Sequence, residues 1–442
     1  MKEFVEFFCA PVPFLIIFAG LFFSVRLKFF WIRHPIKMIS AMIGTEKKEG
    51  VSPFRAVTLA LSGTLGVGNI VGVAGAIAIG GFGSVFWMWI SALCAMVLKY
   101  AEIVLAVSHR RERGGERFGG APYYIEDLFW GRGMLGMGRA VAVIFAALCL
   151  FEVLSTGCGI QINAASGALS ESVGLPKAVT GIIAAAITLY AVLGGAERAS
   201  AVTVRLIPIL SLSYILLSAS VLIIRGGELP RVFSEIFYGA FSFDSAVGGV
   251  FGFLFSRVVR AGAMRGLLSN EAGCGTAPLA HAASNTDSPA AQGFWGIFEV
   301  FFDTVVLCTL TAAVIIISYD DVAHLASDPI KMAIGAYSAV LGDWAEYFLA
   351  FSVAAFGIAT VICCAHYAKE CVFYIFGKRK KAISAACLAL YSAATIVGAL
   401  VSADVLWYIS DITLAAMTAI NITVLLCFCR EINDITSGFF GK

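Results

Sequence analysis

The sequence predicts an all-α polytopic membrane protein, and three observations carry that reading. Hydrophobic residues make up 60% of the 442 positions, with a mean hydropathy of +0.89. Charged residues make up only 14%, where soluble domains carry about a quarter. Apolar segments recur along the whole chain, and a membrane-spanning helix needs about 20 such residues. A net charge of +2 says little about partners, and no nucleic-acid binding is expected.

Eleven spans are predicted, at approximately 10–26, 53–80, 83–108, 139–164, 178–195, 203–224, 245–267, 289–318, 345–376, 382–401 and 404–429. The first follows only Met1-Lys2-Glu3 and ends without a small-residue cleavage site, so it reads as a retained span and not as a signal peptide. The second is interrupted by Ser62-Gly63-Thr64-Leu65-Gly66-Val67-Gly68-Asn69. Glycine weakens a helix interior, and irregular backbone at membrane depth is tolerated only where it faces protein or a polar cavity. This patch is therefore the first candidate site. The third span carries Lys99 and Glu102 at i, i+3, which read as a helix-end pair. The fourth carries Glu152 and Gln161, nine residues or two and a half turns apart. The eighth carries Glu299 and Asp303 on one face at i, i+4, with basic or polar partners expected inside the bundle.

After the first span, ten remain, and the polar stretch from Gly226 to Asp244 divides them five and five. An odd number per half inverts the second. The seventh span opens on Ala246-Val247-Gly248-Gly249-Val250-Phe251-Gly252, another glycine cluster. Small-xxx-small packing explains either cluster alone, and Gly68 with Gly72 fits it. Interruptions in both halves point instead to a secondary-transporter site made by discontinuous helices. The organisation predicted is an N-terminal helix and connector (1–51), a first repeat (52–225), an inverted second repeat (226–430) and a cytoplasmic C-terminal tail (431–442).

Unwinding frees amides at the start of one half-helix, which favour a carboxylate, and carbonyls at the end of the other, which can ligate a cation. An amino acid and a small monovalent cation suit such a pair. No Walker motif is present, so an ion gradient must supply the energy. Twelve cysteines lie mostly inside apolar spans without a C-x-x-C pair and read as small hydrophobes, and five scattered histidines form no zinc pattern. A membrane-embedded enzyme would need a catalytic cluster at the membrane surface, and none is seen. No resident cofactor is expected, and the chain is not expected to be an enzyme.

Positive charge gathers on alternate loops. Of 31 Lys and Arg, only Lys2, Lys177, Arg225, Arg231 and Lys331 fall on the minority face, while Arg110, Arg111, Arg113, Arg117, Arg257, Arg260, Arg265 and Lys378 to Lys381 fall with the majority. The positive-inside rule then places the N-terminus outside and the C-terminus in the cytoplasm of a cell-membrane protein.

Several segments resemble the alanine or glycine:cation symporters, also called the sodium:alanine symporter family. They are Gly63-Thr64-Leu65-Gly66-Val67-Gly68-Asn69-Ile70-Val71-Gly72, then Gly83-Ser84-Val85-Phe86-Trp87-Met88-Trp89, and Arg265-Gly266-Leu267-Leu268-Ser269-Asn270-Glu271-Ala272-Gly273-Cys274-Gly275-Thr276-Ala277-Pro278, with shorter matches at Gly119–Glu126 and Trp407–Asp411. The resemblance implies a leucine-transporter-type 5+5 inverted repeat preceded by one extra helix. It implies substrate contacts at Thr64, Gly66, Val67, Gly68, Asn69 and Gln161, with Gly248, Gly249, Phe251 and Cys364 completing the pocket. Gln161 could equally make an interhelical hydrogen bond. For the cation it implies the Ser62 and Leu65 carbonyls, the Asn69 side-chain oxygen and the Thr360 hydroxyl.

The chain departs from that pattern in places. Cys158 stands where the family has asparagine, Ala359 where it has a hydroxyl residue, and Cys364 where it has a pocket tryptophan. The expected function is sodium-coupled import of alanine or glycine. A proton-coupled carrier of another small amino acid and a non-transporting receptor on the same fold stay open. Intramembrane charges are functional candidates by default. Glu152 is therefore a candidate for proton coupling or a structural ion pair, and Glu271 for an intracellular gate latched to Arg260 or Arg265. Oligomeric state is not readable.

Overall fold

The computed structural model describes residues 2–43, 51–113, 116–193, 195–241, 257–377 and 381–441. Among the described residues, seven helices are long and apolar enough to cross a membrane: Phe7–Arg26, Gly83–Ser108, Leu135–Val173, Glu197–Ile224, Pro289–Ile317, Trp344–Phe376 and Val405–Cys427. Pro53–Thr64 and Val67–Gly80 form an eighth candidate, joined end to end with a 57° bend. The chain is thus a multi-pass helical membrane protein. Shorter apolar helices, Lys177–Leu193 and Ala385–Gly398, fall on two more of the predicted segments. Most of the segment predicted at 245–267, with Gly248, Gly249 and Phe251, lies outside the described residues.

Several helices begin in one way: a short polar side chain caps the first turn and proline, which has no amide to leave unpaired, follows it. Ser52 accepts from the Arg55 amide ahead of Pro53, Ser288 from the Ala291 amide ahead of Pro289, and Asp328 from the amides of Ile330 and Lys331 ahead of Pro329. The Gly83–Ser108 helix is the central strut. It is packed so closely that a Cβ at Gly262 would lie 2.2 Å from the Ser84 carbonyl oxygen, and one at Gly293 would lie 2.7 Å from the Tyr100 ring. Small residues let these backbones approach, the usual packing solution in lipid.

Those contacts also orient the helix Arg257–Asn270. Its Ala261 lies against Gly80, and its Gly262 against Ser84 and Trp87, so Arg257, Arg260 and Arg265 belong to the half of the bundle that holds Gly81. At the other end, Arg110 donates to the carbonyls of Ser284 and Thr286. The grouping of these three arginines with Arg110, Arg111 and Arg117 is therefore corrected. They belong to a helix packed inside the bundle and not to a loop, whereas the charge rule counts loops.

Candidate functional site

The helix from Pro53 stops at Thr64, and the following residues do not continue its bonding pattern. In a continued helix the Gly66 and Val67 amides would bond to the carbonyls of Ser62 and Gly63. Here the Gly66 amide donates to Asn69 Oδ1 at 3.1 Å and to the Thr64 carbonyl at 2.9 Å. The Val67 amide donates to Gln161 Oε1 at 2.9 Å. One 3-10 turn, Val67–Asn69, leads into the helix Val71–Gly80. The Ser62 and Gly63 carbonyls have thus lost their helical donors at a buried position, as a discontinuous transport helix requires.

Gly66 is where the site closes. A Cβ there would lie 2.6 Å from Thr360 Oγ1 and 2.7 Å from Gln161 Oε1, so the first break, Gln161 and Thr360 meet at one point. Gly68 rests on the backbone of Ser269, 3.3 Å from its would-be Cβ. The buried Thr64 hydroxyl reaches the Leu61 carbonyl and Glu299 Oε1, and Ser62 Oγ donates to the Leu59 carbonyl at 2.6 Å. Leu65 is buried. Cys364, one turn beyond Thr360 on the same helix, packs on Gly157, whose Cβ would lie 2.6 Å from its sulfur. Gln161 directly follows a π-helical stretch, Val153–Ile160. A second π-helical stretch, Phe301–Cys308, carries Asp303. Such stretches are frequent at functional sites.

Asn69 differs from expectation in one respect. Its side-chain oxygen accepts from the Gly66 amide, and it is Nδ2 that faces the neighbouring helix, donating to Asp303 Oδ1 at 2.7 Å and Ser269 Oγ at 3.2 Å. Asp303 Oδ2 accepts from Ser269 Oγ at 2.9 Å and Thr304 Oγ1 at 2.7 Å. Asp303 is fully buried and ringed by neutral donors. The negative oxygen here comes from Asp303, for which the i, i+4 pattern with Glu299 predicted only basic or polar partners inside the bundle.

A second break follows the Arg257–Asn270 helix, past the Gly248-Gly249 cluster, which itself lies outside the described residues. The helix Arg257–Asn270 gives way at Glu271, which has a left-handed φ of 49°, and Gly273 and Gly275 follow at 84° and 83° before the chain resumes at Pro278–His281. Charged side chains clamp this loop. Lys99 Nζ donates to the Asn270 carbonyl at 2.8 Å and pairs with Glu299 Oε1 at 3.1 Å, both side chains fully buried. Glu102 Oε2 accepts from the Gly275 amide at 3.1 Å and Asn421 Nδ2 at 2.9 Å. The helix-end reading of Lys99 and Glu102 is therefore corrected: both reach across to the second break from inside the core. His281 bridges Glu299 Oε2 at 3.2 Å and the Gln292 amide at 2.8 Å.

Glu271 accepts from Thr276 Oγ1 at 2.6 Å, while Arg265 stacks on Trp407, 4.2 Å from the ring centre. The anticipated latch between them is not formed, because each has found a different partner. Glu152 stands apart from Gly66, its carboxylate accepting from Thr413.

A cavity of about 490 Å³ runs from Val67 past Asn163, Arg265 and Trp407 to Glu171 and Asp328, within the usual size range of small-molecule sites. Glu171 is paired to Lys331 at 3.0 Å. The cavity thus gives the first break a path toward the end of the bundle that holds Gly81.

The profile of the sodium:alanine symporter family matches residues 2–442. The chain belongs to this family. Its relatives include an uncharacterized transporter, YflA, of Bacillus subtilis, 36% identical over 97% of this chain and 90% of the relative. The sodium/alanine symporter AgcS of Methanococcus maripaludis is 31% identical over 96% of this chain and 93% of that protein. The putative sodium/proton-dependent alanine carrier protein YrbD of Bacillus subtilis is 32% identical over 95% and 87%. This symporter is accordingly an amino-acid:cation carrier.

Proposed function

We propose that this symporter imports a small neutral amino acid, alanine or glycine, together with sodium by alternating access. The observation that carries the reading is the meeting of Gly66, Gln161 and Thr360 beside the Asn69–Asp303 pair. The substrate carboxylate takes the amide-rich start of the Val71–Gly80 half-helix, where the dipole favours an anion. One sodium takes the Ser62 and Leu65 carbonyls with the Thr360 hydroxyl, a donor set of hard oxygens from which Ala359 has removed one member. Asp303 and Ser269 offer oxygens for a second cation. Placing cation and carboxylate side by side lets both favour the same occluded state, which is what coupling requires.

The architecture proposed is the N-terminal helix followed by inverted repeats at 52–225 and 226–430, broken at Leu65–Asn69 and at Glu271–Ala277. The N-terminus is outside and the C-terminus cytoplasmic. Arg110, Arg111 and Arg117 at one end of the bundle support that orientation after Arg257, Arg260 and Arg265 are reassigned. Proton coupling is the second reading, favoured by one observation: the Asp303 carboxylate is buried among neutral donors, where it can carry a proton in place of a cation.

Uptake of labelled alanine and glycine into proteoliposomes, under sodium and proton gradients imposed separately, tests both. Accumulation driven by sodium alone is the expected result. Accumulation driven only by protons selects the second reading, and no gradient-driven accumulation of either amino acid overturns the proposal.

A further inference from the structure

The first span, Phe7–Arg26, does not run straight on into the connector that follows it. Lys28 and Phe29 take left-handed φ values of 56° and 50°, and the chain turns there into two short helices, Phe30–Arg33 and Pro35–Ile43. One flank of the second is buried through Met38 and Met42. Another carries Ile36, Ile39 and Ile43 at i, i+3 and i+7, a spacing that puts them on one face, exposed by 82%, 57% and 73%. A helix this short cannot cross a bilayer, so this apolar face needs another neighbour.

Its depth along the Gly83–Ser108 strut says which. At the start of the strut a Cβ on Gly83 would lie 2.2 Å from the Gly239 carbonyl carbon, which sets the helix Leu229–Phe241 at that level. Trp87 and Trp89 pack there on Phe241 and Phe237, with ring centres 6.4 and 6.3 Å apart. Aromatic belts of this kind mark a membrane–water boundary. Phe30, which opens the connector, packs on Tyr100 with ring centres 4.7 Å apart. From position 83 to position 100 the helical rise is about 26 Å, close to the roughly 30 Å of a hydrocarbon core. The connector therefore stands at the opposite boundary.

Charge selects the lipid. No Asp or Glu occurs between Glu6 and Glu46, while Arg26, Lys28 and Arg33 are exposed and have no carboxylate within ion-pair distance among the described residues. A two-fold contact between copies through this face would set the same unpaired cations against each other, whereas anionic headgroups neutralise them. We propose that the Pro35–Ile43 helix lies in the plane of the membrane surface, its isoleucines at the acyl boundary and Arg26, Lys28 and Arg33 on the headgroups of anionic phospholipid. Lys37 donates to the Phe440 carbonyl at 3.2 Å, and His34 stacks on the Phe440 ring with centres 4.9 Å apart. The lipid-seated connector is thus the platform on which the C-terminal helix rests. This contact does not depend on what the symporter carries.

The test is hydrogen–deuterium exchange of the full-length protein in nanodiscs that hold one copy each, made of phosphatidylglycerol or of phosphatidylcholine. Residues 35–43 are expected to exchange more slowly in phosphatidylglycerol, and Arg33→Gln to reduce that difference about fivefold, the change corresponding to about 1 kcal/mol per surface cation. Ile36→Asp, at an exposed position, is expected to speed exchange of residues 35–43 in both lipids while residues 229–241 exchange as in wild type. Equal exchange of wild type in the two lipids overturns the proposal, as does exchange unchanged by Ile36→Asp. Protection that appears only in discs holding two copies also overturns it, because a second copy would then cover the isoleucines.

Discussion

The two breaks meet the same demand, that no backbone donor or acceptor be left unpaired where water is absent, in opposite ways. At Leu65–Asn69 the neighbours that take the amides are neutral, Gln161 and Asn69, and the Ser62 and Gly63 carbonyls are left without helical donors. At Glu271–Ala277 the neighbours include a charged pair, Lys99 with Glu299, with Lys99 on the Asn270 carbonyl, and the Glu102 carboxyl takes the Gly275 amide. At the first break the amides are framed by neutral groups, and the Asp303 carboxylate beside them meets only neutral donors, which leaves its counter-charge to whatever binds. A charged clamp supplies its own and fixes the loop. The first break is therefore built to receive a ligand, and the second to hold a shape.

Removing the clamp's cation should have the largest effect. Lys99→Met leaves Glu299 buried without its counter-charge, and breaking a buried pair in this way costs about 3–5 kcal/mol. The expected outcome is a large fall in thermal stability of the purified protein. Combining it with Glu299→Gln should recover part of the loss, because the amide still serves Thr64 and His281 without a stranded charge. If Lys99→Met melts like wild type, the second break is not held by charge and the contrast fails.

At the first break the same kind of change should spare the fold and strike transport. Asp303→Asn keeps a polar side chain among Asn69, Ser269 and Thr304 but removes the negative oxygen. Hydrogen bonds to a charged group contribute about 1.5–3 kcal/mol, so cation dependence of uptake should weaken about 10- to 100-fold while the melting temperature moves little. A large stability loss with unaltered cation dependence would place Asp303 with Lys99 as scaffold.

How far these regions could be read beforehand differed for a physical reason. The first break was legible because glycines inside an apolar run conflict with the helix that the run demands. The same logic pointed to Gly248-Gly249, which lies outside the described residues. The loop at Glu271–Ala277 follows a helix whose own sequence is polar, so no apolar run was interrupted to signal it. Its sign is Gly273-x-Gly275, which serves left-handed φ. Lys99 and Glu102 looked like partners because spacing along one helix reports only neighbours on that helix. Their real contacts, Asn270, Glu299 and Asn421, are more than 170 residues away in sequence. Asp303 was visible as an intramembrane carboxylate, but only the packing of Asn69 and Ser269 against it sets it beside the site.

The smallest expected effect lies outside the spans and probes charge clamping where solvent competes. His109, just past the Gly83–Ser108 helix, has Nδ1 2.8 Å from Asp127 Oδ2 and Nε2 2.9 Å from Glu431 Oε1, tying the C-terminal helix Cys429–Phe440 to the rest of the bundle. Both ring nitrogens can donate at once only in the imidazolium. Burial pushes its pKa down, but the hydrogen bonds and charges of Glu431 and Asp127 outweigh burial, and the net shift is upward from 6.5. A raised folded pKa means that the tie contributes fully below the unfolded value and is lost as pH rises through the folded one. Amide exchange in residues 429–440 should therefore be slowest relative to its intrinsic rate in mild acid and speed up as pH rises above neutrality, and His109→Gln should flatten that dependence. Protection that instead grows with pH would mean the tie is made by the neutral ring, and that carboxylates near solvent do not clamp as Glu102 and Glu299 do inside.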